Sequence, residues 1–174
     1  MKRLSSYPPR LAFTEKDANK AFEEWGCNCG PGSLAAIIGK TLDEVRYHIP
    51  KFEERKYTNP KMMYKALNNL KIKYDNSSNI FFPRYGLARI QWDGPWMASH
   101  IPEYRKWRHT HWIGSCIRTL DNIGIFDINA INSGGWISLD SWESVIVPHI
   151  LSECEPNSTG KWSITHSLEI FGYE

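Results

Sequence analysis

After Trp25 the chain runs Gly26-Cys27-Asn28-Cys29-Gly30-Pro31-Gly32, then Ser33-Leu34-Ala35-Ala36-Ile37-Ile38-Gly39. Three glycines and one proline in seven residues break regular structure. The following run has Leu34, Ile37 and Ile38 at helical spacing, small residues between them and Gly39 as a stop. A helix that is apolar all round belongs in a core. A cysteine-bearing turn is therefore expected at the start of a buried helix, and the rest of the chain must pack around it.

That placement has chemical consequences. The unpaired amides and dipole at a helix N-terminus favour thiolate, and they offer N–H groups to the oxyanion of an attacked carbonyl. Cys29 fits the nucleophile position, while Cys27 is expected off the helix start. A thiol nucleophile needs a base, and the base needs an orienting partner. His111 heads an apolar run, His111-Trp112-Ile113-Gly114-Ser115-Cys116-Ile117, and Ile123-Gly124-Ile125-Phe126-Asp127-Ile128-Asn129 follows a turn at Asp121-Asn122. A hairpin turning near residue 120 sets His111 opposite Asn129 and diagonal to Asp127; a turn one residue earlier sets Asp127 directly opposite. Both acceptors share a sheet face, because strand side chains alternate. Opposed Cβ atoms lie about 5 Å apart, so either is within reach.

The elements around these residues divide by position. Helices are expected over 16–25, from Ser33, from the Thr41–Glu44 capping box to Pro50, and from Asn59-Pro60 with Met63, Ala66, Leu67 and Leu70 inward. Extended chain is expected over 70–74, 86–92, 111–117, 123–128, 136–139 and 163–171. A late helix over 141–147 is announced by Asp140 and Glu143. Helices first and an antiparallel sheet second is an α+β plan. Residues 1–14 read as an N-terminal arm and 15–174 as one domain, in keeping with a length of 174.

Composition narrows the function classes. A net charge of +2 is too balanced for a dedicated nucleic-acid binder. No run approaches about 18 apolar residues, so no membrane-spanning helix is expected. The basic start, Met1 to Pro9, has no apolar stretch behind it, so no secretory signal is expected. Reduced thiols in the cytoplasm follow, and Cys27 and Cys29, one residue apart, are not expected to bond each other. Cys27, Cys29, His109 and His111 have the residue types for zinc. Thiolates one residue apart strain a tetrahedral site, however, so neither metal nor other cofactor is expected.

The ordered motifs resemble a known family. Asn28-Cys29-Gly30-Pro31-Gly32-Ser33-Leu34-Ala35-Ala36-Ile37 is similar to the nucleophile segment of papain-like cysteine peptidases, nearest the bacteriocin-leader-processing, double-glycine branch. Thr110-His111-Trp112-Ile113-Gly114 resembles that branch's histidine strand. Phe126-Asp127-Ile128-Asn129 and Gly134 to Glu143 resemble its aspartate-containing tail. The likeness covers roughly residues 17–147, in the order Cys, His, Asp. It implies a papain-like α+β fold with an N-terminal helical part packed on an antiparallel sheet. It also implies Cys29 as nucleophile, His111 as general base and Asp127 as orienting residue.

The implied activity is hydrolysis of a peptide or isopeptide amide through a thioester acyl-enzyme, on a peptide or protein substrate. The family's oxyanion glutamine, six residues before the cysteine, is Glu23 here. A carboxylate donates nothing unless protonated and repels the developing charge. Losing one such donor costs ~10²–10³ in rate. Asn19 or Asn28 is the candidate substitute donor, and Asn129 is a second orienting candidate. The alternative is therefore a catalytically inactive papain-fold binding or inhibitor protein. Among the tryptophans near the motifs, Trp25 and Trp112 are expected to wall a substrate cleft, with Trp92, Trp96 and Trp107 further candidates. Oligomeric state is not legible in the sequence.

Overall fold

The computed structural model describes residues 8–76, 81–119 and 122–173. Residues 1–7 of the expected arm, Asp121 of the expected hairpin turn, and residues 77–79 of a polar turn cluster lie outside them.

The first half is helical, as its caps require. Helix α1 (Glu15–Trp25) starts on Thr14, whose hydroxyl accepts from the Asp17 N–H while the Asp17 carboxylate accepts from the Thr14 N–H. Helix α2 (Cys29–Ile38) begins at Cys29 itself, so the glycine-rich segment expected to be irregular already forms the first helical turn. Helix α3 (Leu42–Arg46) carries the expected Thr41–Glu44 capping box. Then come α4 (Phe52–Arg55) and α5 (Pro60–Asn69), the latter with Asn59 as cap and Pro60 at its first position.

The second half is a six-stranded sheet, antiparallel at every pairing, in the order β1-β6-β2-β3-β4-β5. Its strands are β1 (Ile72–Asp75), β2 (Tyr85–Trp92), β3 (Thr110–Thr119), β4 (Asn122–Phe126), β5 (Trp136–Ser138) and β6 (Trp162–Tyr173). A short helix α6 (Glu103–Lys106) lies between β2 and β3. The fold class is α+β.

Helical segments cover both faces of the sheet. On one face Leu34, Ile37, Met63 and Leu67 pack with Leu87, Trp112, Phe126 and Leu168. On the other, Ala88, Ile90, Trp92, Ile113 and Ile125 pack with Trp142, Ile146 and Ile150. The second layer comes from α7 (Leu139–Ser141), a π turn (Trp142–Ile146) and α8 (Val147–Cys154). The late helix is thus longer than the expected 141–147, and its cap is Ser138, which accepts from the Ser141 N–H, rather than Asp140. Covering both faces leaves all eight residues of β2 buried, which erases polar alternation. Residues such as Leu34 and Ile37, fully buried, each contribute roughly 1.5–3 kcal/mol. The described part of the arm also packs inward: Phe13 meets Phe126 edge-on at 6.1 Å.

Close approach sets the glycine at 86. A Cβ there would fall on the carbonyl oxygen of Leu168 in β6, so β2 and β6 hydrogen-bond only with glycine at that site. Gly86→Ala is expected to lower unfolding free energy by about 1–3 kcal/mol, the usual cost of overpacking, as measured by urea denaturation. An unchanged midpoint would show that the strands separate without penalty.

Candidate active site

Helix α2 brings the thiol to the sheet. Asn28 makes no side-chain cap; its Nδ2 donates instead to the Ala18 carbonyl at 3.0 Å and fastens α1 to the start of α2. Gly30 and Gly32 serve close contact here. A Cβ at Gly30 would collide with the Thr58 side chain, and one at Gly32 with Ile128. The helix start therefore lies directly against the 3₁₀ turn Ile128–Ser133, which begins just after Asp127. Ser33 Oγ then donates to the Trp112 carbonyl at 2.9 Å, next to His111 on β3.

The sheet brings the base and its partner. The β3–β4 register pairs Gly114 with Phe126; carried onward it would set His111 opposite Asn129, as the turn near residue 120 requires. The strand ends at Phe126, however, three residues before that point. Asp127 leaves the sheet as the cap of the 3₁₀ turn, its Oδ1 accepting from the Asn129 N–H at 2.9 Å. Its other oxygen, Oδ2, lies 2.9 Å from His111 Nε2. Asn129 Nδ2 adds a bond to Oδ1 at 2.9 Å, and Trp142 Nε1 donates to Oδ2 at 2.8 Å. His111 and Asp127 are buried. Trp92 lies beside the imidazole, ring centroids 6.4 Å apart.

These contacts set the charges. Burial opposes a charged imidazole. The Asp127 charge, its hydrogen bond and the bond to Cys29 outweigh it, and His111 is pushed up to about 10. Burial likewise opposes the Asp127 carboxylate, yet His111 and the donors from Trp142 and Asn129 hold it below its ordinary value. His111 is thus an imidazolium at neutral pH. With Nε2 committed to Asp127, Nδ1 is the ring nitrogen left for the hydrogen bond shared with the Cys29 thiol.

Cys27 enters this group as well. Its sulfur lies 3.9 Å from that of Cys29. Either sulfur can donate in that contact, and the contact together with the Cys29 backbone N–H lowers Cys27, against burial, to about 7. The Cys29 thiol is pushed well up by the same thiol hydrogen bond, by burial and by the Cys27 charge, while His111 pulls it down. Moving the Cys29 proton to Cys27 would leave a Cys29 thiolate beside the imidazolium.

Other expected site residues lie elsewhere. Glu23 sits on the exposed face of α1. Asn28 spends one of its two amide hydrogens on the Ala18 carbonyl. Trp25 is buried against Phe52 at 5.6 Å, and Trp112 is buried with its Nε1 donating to the Thr58 carbonyl, so both are core rather than cleft walls. Asn129 does join the group, as a donor to Asp127. His109 stacks on Trp96 at 3.6 Å and pairs with Glu155 at 2.7 Å. Among the described residues no three His, Cys, Asp or Glu side chains converge as a metal site. Trp142 went unread as a site residue; the signal for it was Asp127 itself, since a buried carboxylate needs donors from somewhere.

Asp127→Asn removes the charge that opposes burial at His111. The imidazole is expected to lose its proton by neutral pH and to titrate below its ordinary value of 6.5, read by NMR of the ring protons. In the wild type it stays protonated at neutral pH. The stability it contributes is fully present below 6.5 and is lost as pH rises through about 10. Identical His111 titrations in the two proteins would break the assigned pairing. No protein-family model matches the chain, and no curated protein matches it either.

Proposed function

We propose that this protein is a papain-like cysteine peptidase or amide hydrolase, acting on a peptide or protein amide. One observation carries the reading: a thiol at a helix N-terminus, an imidazole and a buried carboxylate converge in hydrogen-bonded series from three separate elements. Attack by the Cys29 thiolate on the carbonyl carbon forms a tetrahedral oxyanion. His111 gives its proton to the leaving amine, leaving an acyl thioester on Cys29. His111, now neutral, takes a proton from water as that water attacks the thioester. The acid product leaves as the C–S bond breaks, which restores the Cys29 thiolate beside the His111 imidazolium. Asp127 holds the imidazole's orientation and balances its charge throughout.

The oxyanion needs donors, and the Cys29 N–H at the start of α2 is the nearest backbone one. In the free protein it binds the Cys27 sulfur, so substrate must displace that sulfur to use it. None of the four cysteines forms a disulfide, which fits the cytoplasm as the place of action. No helix among the described residues is long and apolar enough to cross a membrane.

A second reading rests on the same amide. With the Cys27 sulfur on the Cys29 N–H, the chain would be a binding or inhibitor protein on this fold. A mixed peptide library read by mass spectrometry separates the two. The hydrolase reading expects cleavage that falls by about 10⁴-fold or more in Cys29→Ala and His111→Ala, with an acyl adduct on Cys29 in rapidly quenched wild type. Cleavage indifferent to Cys29→Ala, or no cleavage and no adduct, would reject it in favour of the binding protein.

A further inference from the structure

Arg89 is a buried cation without a carboxylate counter-ion among the described residues. It lies in the middle of β2, one residue from the position that pairs with His111, and it is only 3% exposed. It shares the helix-side face of β2 with Leu87, the face on which α2 packs. Nη2 donates to the Trp107 carbonyl at 3.3 Å and to Thr110 Oγ1 at 3.0 Å. Nε and Nη1 are buried and have no partner. No carboxylate among the described residues acts on the guanidinium; the acidic groups that do are Cys29 and Tyr64. A folded protein rarely keeps an unpaired buried charge, because desolvation then goes uncompensated.

Arg89 stands directly opposite Trp112 of β3, whose carbonyl accepts from Ser33 of α2. His166 of β6 stands directly opposite Arg89 in the sheet. Trp107 lies against the guanidinium with its ring centroid at 5.3 Å and is itself 41% exposed. Tyr64 and His166 are half-buried. Guanidinium is the side chain best matched to a carboxylate, which it binds through two parallel N–H donors, and Nε with an Nη is one such pair.

We propose that Arg89 is the recognition residue for a substrate carboxylate held beside the carbonyl that Cys29 attacks. The site thus takes peptidyl groups bearing an acidic side chain or a free C-terminal carboxylate at the point of cleavage. The entering carboxylate turns the Trp107 ring aside and accepts from Nε and Nη1. This specificity rests on the reading of Cys29 as nucleophile.

The test compares alkylation of Cys29 by iodoacetate and by iodoacetamide, with fragment-ion mapping to separate Cys29 from Cys27. The two reagents differ in charge but deliver similar carbon centres to the thiolate. The iodoacetate-to-iodoacetamide rate ratio is expected to fall about tenfold in Arg89→Met, the worth of a charge-assisted hydrogen bond, and to be partly kept in Arg89→Lys. In wild type, N-acetylglycine and N-acetylglutamate α-amide are tried as protectants against iodoacetamide, with neutral N-acetylglycinamide as control. Protection by the first assigns a terminal carboxylate, and by the second an acidic side chain. This arm needs no variant and decides the matter if Arg89→Met does not fold. An unchanged ratio with no protection by either carboxylate overturns the Arg89 site, while His111-dependent labelling by iodoacetamide would leave the nucleophile standing. Cys29 that is slow toward both reagents, and indifferent to His111→Ala, removes the nucleophile and the carboxylate site together.

Discussion

The site depends on one carboxylate kept charged in the interior. Asp127 is fully buried, where an isolated anion would take up a proton. It stays ionised because its donors arrive from three places: His111 on β3, Asn129 in the 3₁₀ turn and Trp142 in the layer behind the sheet. Each donor also fixes the segment that carries it. The imidazolium that Asp127 sustains faces α2, whose start is free to approach only because residues 30 and 32 lack side chains. Remove the charge and the imidazole becomes neutral, and with it goes the attraction that draws a proton off Cys29.

Part of this was legible in the sequence, for identifiable reasons. Cys29 stood out because a Gly/Pro-rich segment abuts an apolar run, and those are local signals. The pairing of His111 with Asp127 or Asn129 followed from hairpin register, which depends only on where the turn falls. The outcome used both acceptors, since the chain left the strand after Phe126 and Asp127 took the histidine while Asn129 took Asp127. Caps at Thr41 and Asn59 were readable because a side chain and an amide three residues on suffice to define them.

What escaped was non-local. No periodicity shows that the C-terminal strand β6 inserts between β1 and β2, or that a second helical layer covers the far face. Trp25 and Trp112 looked like cleft walls because they flank the motifs, yet proximity in sequence says nothing about which side of a helix or sheet a ring occupies. Arg89 left a signal that went unread: a charged residue inside Gly86-Leu87-Ala88-Arg89-Ile90-Gln91-Trp92 is out of place in a buried strand. The sequence has Cys27 lying off the helix. Its backbone does, but its sulfur folds back onto the Cys29 thiol and N–H, which makes a dithiol of what looked like a lone nucleophile.

The central claim is that Cys29 owes its reactivity to His111 and is restrained by Cys27. It is tested most directly by the pH dependence of Cys29 alkylation, mapped at the residue, in wild type, Cys27→Ala and His111→Ala. Losing the thiol that raises it should move the Cys29 midpoint down in Cys27→Ala, and losing the imidazolium should move it up in His111→Ala. A Cys29 midpoint that stays where it is in both variants would contradict the claim.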